Sequence, residues 1–508
     1  MQKKTLFLLG ILLLKIVLHY LLIHPAYELH RDEYLHLDQG RHLAWGYISV
    51  PPVTSWASFL LRLLGKGIFW VKFIPALFGA LTIALAWKIA EELKGGLFAC
   101  VLCSLALLFS ILLRINILYQ PSSFDVFFWT LTYYILIRYI NTKETKWLYA
   151  VGLSLAFGFL SKYNILFLAA GLFPALLLSE HRRIFANRHF YVSLLIGLLI
   201  VFPNLYWQYQ NHFPTLAQLR ELSERQLVHV NRFNFLKEQV LFFLSGIFVL
   251  LAGLAGLLFY KPFRAYRFVP ISFVITLALF LFFQAKSYYT VGLYPVILSF
   301  GAVYLERIFS VKGRGFLRPV SLLLLLALSV PFLLLAFPIH PPAYYATHQQ
   351  PYKDMGALRW EDGQDHLLPQ DFADMTGWKE LARKTDSVYR LLPDKEATIV
   401  LCDNYGQAGA INYYSAFKNI RAVSFNADYI NWMPLEKPIK NAILVKDVDD
   451  SDSARSEEIP LFDRVMLAGR IENPYAREVG TRIYLLQGAK INVNQRIQEE
   501  IDSKSNQR

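Results

Sequence analysis

Ten long apolar runs, separated by short polar breaks, occupy the first two-thirds of the chain. They fall near residues 5–23, 72–90, 97–113, 122–140, 148–178, 190–207, 239–260, 268–283, 288–305 and 319–338. A helix needs about 20 apolar residues, or a few less, to cross a hydrocarbon core, so most runs predict one span each. The run 148–178 is long enough for two short helices broken near Ser161. The pattern therefore predicts about eleven transmembrane helices. The first run follows Lys3 and Lys4 as a signal peptide would, but it is long, contains Lys15 and lacks a small-x-small cleavage site before His24. We expect a retained helix.

The texture changes near Ile339. A helical pattern at 378–392 precedes a β-rich run at 397–402, the turn Asp403–Gln407, a second helical pattern, and strand-like runs at 442–445 and 482–486. Such alternation predicts a small α/β domain. The expected organisation is a membrane domain over 1–338 with long outer loops at 24–71 and 207–238, an α/β domain over 339–492 and a polar, frayed tail over 493–508.

Composition narrows the function classes. The chain is 55% hydrophobic and 18% charged, with a mean hydropathy of +0.35, more apolar surface than one soluble core hides. The net charge of +13 is carried by short basic clusters between apolar runs, not by a basic patch with interleaved aromatics, which argues against a nucleic-acid partner. Every second loop is basic: Lys3 and Lys4; Lys94; Arg138, Lys143 and Lys146; Arg182, Arg183 and Arg188; Lys261, Arg264 and Arg267; Arg307, Lys312, Arg314 and Arg318. By the positive-inside rule these loops are cytoplasmic. The long loops and the C-terminal domain then lie outside, which in a bacterial inner (plasma) membrane is the periplasm. Cys100 and Cys103 sit inside an apolar run and read as buried small side chains, and Cys402 stands alone, so no disulfide is implied.

The chain has no P-loop, no GxGxxG after a strand and no HExxH, so no nucleotide-driven handle is visible. The acidic residues discriminate best. Glu28, Asp32, Glu33 and Asp38 crowd one short stretch past the first run, where a helix would bring Asp32 beside His36 and Asp38 beside Arg41 and His42. Asp125 lies near the outer end of the fourth run, and an ionisable group deep in a membrane costs about 2.5–3.5 kcal/mol on insertion scales. By the proposed topology Lys162, in the break Ser161–Asn164, and Lys286, in Gln284–Tyr289, reach the same face. Carboxylates and cations gathered at one face suit transfer from a lipid-linked sugar phosphate, in which a carboxylate takes the acceptor's proton and cations hold the departing phosphate.

The strings Arg31-Asp-Glu-Tyr34, Asp38 to Tyr47 and Pro51-Pro52 resemble the first outer loop of the bacterial branch of the protein mannosyltransferase and aminoarabinose transferase superfamily, with its GT-C fold (glycosyltransferase family 39-like). Gln120 to Asp125, Leu160 to Tyr163, Lys286 to Tyr289 and Tyr294-Pro295 agree, as do Leu368 to Asp374 and Asn404 to Ala410. The resemblance implies a polytopic GT-C glycosyltransferase using a polyprenyl-phosphate sugar donor, with a lipid, glycan or protein acceptor and inversion at the anomeric carbon. It implies Asp32 as base, Glu33 beside it shaping the site or helping bind a cation, and Asp125 as a second acidic group. Arg114, Lys162, Lys286, Tyr288 and Tyr289 would line the phosphate end. Asn404, Tyr405 and Gln407, in a turn before a helix, fall on the acceptor side; the bland reading of that turn is an ordinary strand-to-helix connection. Ser49-Val50 stands where relatives often have an acidic and then a basic residue, which puts a metal site in doubt; Asp32 and His36 offer two groups at helical spacing, so a divalent cation stays open but is not favoured, and no cofactor is certain. Two other classes remain: a transporter or flippase for lipid-linked sugars, weakened by the lack of an internal repeat, and a non-enzymatic scaffold whose outer domain binds a partner.

Overall fold

The computed structural model describes residues 2–65, 67–225 and 231–506. Part of the expected outer loop 207–238 lies outside the described residues. The chain folds as two compact units. One takes in the chain up to Leu22, Val50–Thr54 and Leu64–Phe337; the other takes in Ile23–Ser49, Ser55–Leu63 and the chain from Pro338 on. The stretch 24–71 is thus divided between them.

The first unit is helical. Among the described residues five helices are long and apolar enough to cross a membrane: Lys3–Leu21, Ile68–Glu92, Arg188–Gln210, Ser287–Phe309 and Leu317–Ala336. A sixth span follows if Arg232–Leu241 and Leu244–Phe259, bent by 60° to each other, are one. Four shorter apolar helices add to these: Leu97–Leu108, Lys146–Ser161, Ile165–Leu177 and Phe268–Phe282. The expected break near Ser161 is present, with Lys162 in extended conformation between two helices.

Close packing in this unit depends on small residues, because between apolar helices in lipid the contact itself supplies the attraction. A Cβ on Gly301 would strike the Val249 carbonyl oxygen, and one on Gly253 would strike that of Ile297. The backbones of Ile247–Phe259 and Tyr294–Phe309 therefore touch.

The second unit carries a five-stranded mixed sheet in the order β2-β1-β3-β5-β4, formed by β1 (Thr398–Cys402), β2 (Ala422–Ser424), β3 (Asn441–Lys446), β4 (Phe462–Arg470) and β5 (Arg482–Ala489). β1 pairs in parallel with β2 and β3, whereas β5 runs antiparallel to β3 and β4. Ile399, Ala442, Leu444 and Leu486 line one sheet face and are covered by Val493 and Ile497. These last two belong to the helix Val493–Asn506, formed where the sequence led us to expect a polar tail; two buried apolar residues one turn apart are enough to dock it. The expected strands at 397–402, 442–445 and 482–486 are present, and β2 and β4 are additional.

Within this unit the chain after Ile23 turns into the helix Arg31–Gln39, which packs against the helix Tyr405–Tyr414. Buried Asp38 accepts from Asn412 Nδ2 at 2.7 Å and from the Tyr429 hydroxyl at 2.8 Å, and pairs with Arg41 at 3.4 Å. Asp428 accepts from Gln39 Nε2 and from the Ile48 backbone N–H, both at 2.8 Å.

Candidate active site

Asp32 is placed by the cap of its own helix. The His30 side chain accepts the Asp32 backbone N–H through Nδ1 at 3.2 Å, and Glu33 Oε2 accepts the His30 backbone N–H at 2.7 Å. This reciprocal pair satisfies donors that a helix start would leave open. Glu33 is fully buried in that role, while the Asp32 side chain, one position earlier, is 35% exposed.

Three groups set the Asp32 charge. The Tyr405 hydroxyl donates to Asp32 Oδ1 at 2.6 Å, Arg31 Nε stands 3.9 Å from the same oxygen, and His30 Nδ1 stands 4.0 Å from Oδ2. Burial works to raise the carboxyl, but His30, Arg31 and the Tyr405 hydroxyl outweigh it and hold it down at about 2. His36 is pushed down by burial, and its Nδ1 lies 3.0 Å from Gln39 Oε1. The Arg31 guanidinium lies 4.7 Å above the Tyr405 ring, so one cation fixes both the carboxylate and its hydroxyl donor.

The turn at 404–407 sits at the carboxyl ends of β1 and β3. Asn404 caps the helix Tyr405–Tyr414 by accepting the Gln407 N–H at 3.1 Å. Gln407, fully buried, donates to Glu478 Oε2 at 2.8 Å and to Asp447, and accepts the Asp403 N–H at 3.1 Å. Asn404 and Gln407 are thus held by the frame of this unit, and Tyr405 is the member of the turn that reaches Asp32. Burial and then the neighbouring Glu478 push the Asp447 carboxyl up to about 7.

In the membrane unit Asp125 is buried in the first turns of the helix Pro121–Thr142. It accepts from Trp129 Nε1 at 2.8 Å and lies in the field of Lys162. Lys162 Nζ donates to Ser122 Oγ at 3.1 Å and stands 4.2 Å from the centre of the Tyr289 ring and 5.3 Å from that of Tyr288. The structure therefore gathers Asp125, Lys162, Tyr288 and Tyr289 about one ammonium group. Lys286 precedes the short helix Ser287–Leu293 that carries both tyrosines, and Arg114 lies in the helix Ile111–Ile115, two residues before Asn116.

His30, Asp374, Arg477, Asp447 and Glu478 were given no role from the sequence. Asp374 is buried between His30 Nε2 at 3.4 Å and Arg477 at 3.1 Å. The missed signal is a His three positions before a Glu at a helix start, a capping pattern with an unusual first member. His30, Asp371 and Asp374 bring ligand atoms within 4.8 Å of one another, yet they suit a cation poorly. His30 Nδ1 is already engaged with the Asp32 N–H, His30 Nε2 faces Asp374 at 3.4 Å, and Arg477 already neutralises that carboxylate.

The fold has known counterparts. The structure superposes on ArnT from Cupriavidus metallidurans bound to undecaprenyl phosphate with a TM-score of 0.61, 14% identity and coverage of 96% of this chain and 98% of that one. The oligosaccharyltransferase of Archaeoglobus fulgidus in its apo form gives 0.51 at 13% identity, over 87% of this chain and 69% of that one. The protein is a multi-pass membrane protein of the GT-C fold. Residues 49–207 match the family described as dolichyl-phosphate-mannose-protein mannosyltransferase, which bears out the resemblance drawn from the sequence. A curated relative, the lipid A galacturonosyltransferase RgtD of Rhizobium johnstonii, is 24% identical over 213 residues, 39% of this chain and 42% of that protein. The chain thus spans less than half the length of that relative in the match.

Proposed function

We propose that this protein is an inner-membrane glycosyltransferase that moves a sugar from a polyprenyl-phosphate donor to an acceptor on the periplasmic side, with the second unit and the face of Asp32 periplasmic and the N-terminus cytoplasmic. The acceptor oxygen or nitrogen attacks the anomeric carbon, the bond from that carbon to the phosphate oxygen breaks with inversion, and the electron pair leaves with the lipid phosphate. The acceptor's proton passes to Asp32. The observation that carries this reading is the Asp32 carboxylate itself: ionised, 35% exposed and aimed by the Tyr405 hydroxyl. A carboxylate held at about 2 is a weak base at neutral pH, so it takes the proton late, once bond formation has made the acceptor atom acidic.

Lys162, Lys286 and Arg114 stabilise the departing phosphate in this scheme, with Tyr288 and Tyr289 shaping the ammonium's surroundings and Asp125 orienting Lys162. Asn404, Tyr405 and Gln407 form the acceptor side. The lipid A acceptor in the name of the Rhizobium relative and the undecaprenyl phosphate bound to the Cupriavidus protein support a lipid-phosphate donor and a glycolipid acceptor. The test is sugar transfer from a synthetic polyprenyl-phosphate sugar by wild type and Asp32→Asn, with mass spectrometry of envelope glycolipids from cells with and without the protein to name sugar and acceptor. Full activity in Asp32→Asn removes it as base. Movement of lipid-linked sugar across the membrane with no glycosylated product replaces the transferase reading by the flippase one.

A further inference from the structure

The membrane unit buries a second set of basic side chains. Lys15 and His19 stand one turn apart on the first helix, and both are fully buried. Lys72, on the helix Ile68–Glu92, is 4% exposed and donates to the Ile117 carbonyl at 3.1 Å. The preceding residue, Asn116, is buried and donates to Ser123 Oγ at 3.0 Å. His19 lies within electrostatic range of both Lys15 and Lys72. Gly79 lets the pieces meet: a Cβ there would strike Asn116 Oδ1 and stand 2.9 Å from Lys15 Cε.

Several of these atoms are unsatisfied. Lys15 Nζ, both ring nitrogens of His19 and Asn116 Oδ1 are buried with no hydrogen-bond partner among the described residues. A buried ammonium without a counter-charge is costly, and Lys15 does not relieve the cost by snorkelling, since its Nζ is covered. Ser123, which Asn116 holds, lies in the first turn of the 22-residue helix Pro121–Thr142, the end of a helix that favours negative charge. Among the described residues no carboxylate acts on Lys15 or His19, and donors with positive charge so placed describe an oxyanion site. The opposite face of the first helix carries Leu6, Leu9, Leu13, Val17 and Leu21, all exposed, so this helix stands at the lipid boundary with Lys15 and His19 on its inner side.

We propose that Lys15, His19 and Lys72 bind the phosphate oxyanion of a membrane lipid, at a site additional to the Lys162 group and independent of the sugar-transfer reading. The test uses delipidated full-length protein and native mass spectrometry with undecaprenyl phosphate, with phosphatidylglycerol and with inorganic phosphate, alongside thermal unfolding. In wild type two lipid phosphates bind per chain. Lys15→Met loses one of them, weakening that event at least tenfold, and unfolds no lower than wild type when no ligand is present, because a buried unpaired charge has gone. Lys72→Gln shows the same loss of binding, and Lys162→Met loses the other event. Unchanged lipid binding in both Lys15→Met and Lys72→Gln overturns the proposal, as does inorganic phosphate binding as tightly as either lipid. None of these readouts uses sugar transfer, so failure here and failure of the transferase reading are told apart.

Discussion

Asp32 and Asp38 lie six residues apart, yet their surroundings differ, and a paired substitution separates the proposed base from the buried structural acid. Asp38 is 5% exposed and receives two hydrogen bonds, from Asn412 and Tyr429, besides the Arg41 pair. Asp38→Ala leaves both donors unpaired at about 1–3 kcal/mol each, so we expect a loss of about 3 kcal/mol and a fall in unfolding temperature. Asp32→Asn keeps an oxygen for the Tyr405 hydroxyl and removes a charge that is one-third exposed, an effect on the order of 1 kcal/mol or less after solvent screening. Its transfer rate from a polyprenyl-phosphate sugar should nevertheless fall by roughly 10²–10⁴, the usual contribution of a positioned base. The assay is unfolding temperature and kcat for each variant in the same detergent. Normal stability in Asp38→Ala, or full transfer in Asp32→Asn, refutes the division of labour.

Further outcomes follow from the same geometry. Asp447, raised to about 7 by burial and by Glu478, holds its proton better folded than unfolded, so its contribution to stability is present below its ordinary value near 3.8 and lost as pH rises through 7; in Asp447→Asn the unfolding temperature should change less between pH 5 and 8, by on the order of 1 kcal/mol, and an unchanged pH profile contradicts this. Asp32 has the opposite sign: held at about 2, it stabilises the fold above about pH 4 and loses that effect only as pH falls through 2, so a loss of transfer between pH 7 and 5 that vanishes in Asp32→Asn would count against the assignment. Gly301→Ala, with its new methyl driven into the Val249 carbonyl, should lower the unfolding temperature by the equivalent of about 1–3 kcal/mol, checked in detergent. Lys162→Met should lower kcat/KM for the lipid-linked donor by about 10²-fold, the scale of one lost oxyanion donor, with Lys162→Arg recovering part of it; equal rates in all three would remove Lys162 from the phosphate end.

The helical membrane part was legible because lipid imposes a simple demand: every spanning segment must be apolar for about 20 residues and must satisfy its own backbone. That demand is written locally, so the run breaks, including the one at Ser161–Lys162, could be read directly. The strands at 398–402, 441–446 and 482–489 were legible for a similar reason, as β-rich runs between polar stretches. β2, only three residues long, and β4, with a single buried position, gave no comparable signal. The helix Val493–Asn506 was hidden because its docking rests on few apolar residues in a polar segment.

The candidate acids were visible in the string from Glu28 to Asp38, and the resemblance singled out Asp32, but the partners that set each carboxylate's surroundings were not. A carboxylate's duty depends on which donors surround it, and those come from far along the chain: Tyr405 to Asp32, Asn412 and Tyr429 to Asp38. Lys15 looked like an ordinary basic residue in a first span until the fold covered its ammonium group. The amino-acid sequence by itself determined which segments enter the bilayer and which acids and bases stand available, because hydrophobicity and charge are properties of each residue. Only the tertiary structure decided which of those charges are paired, capped or left in want of a partner, because electrostatic energy is a property of distances that no local pattern contains.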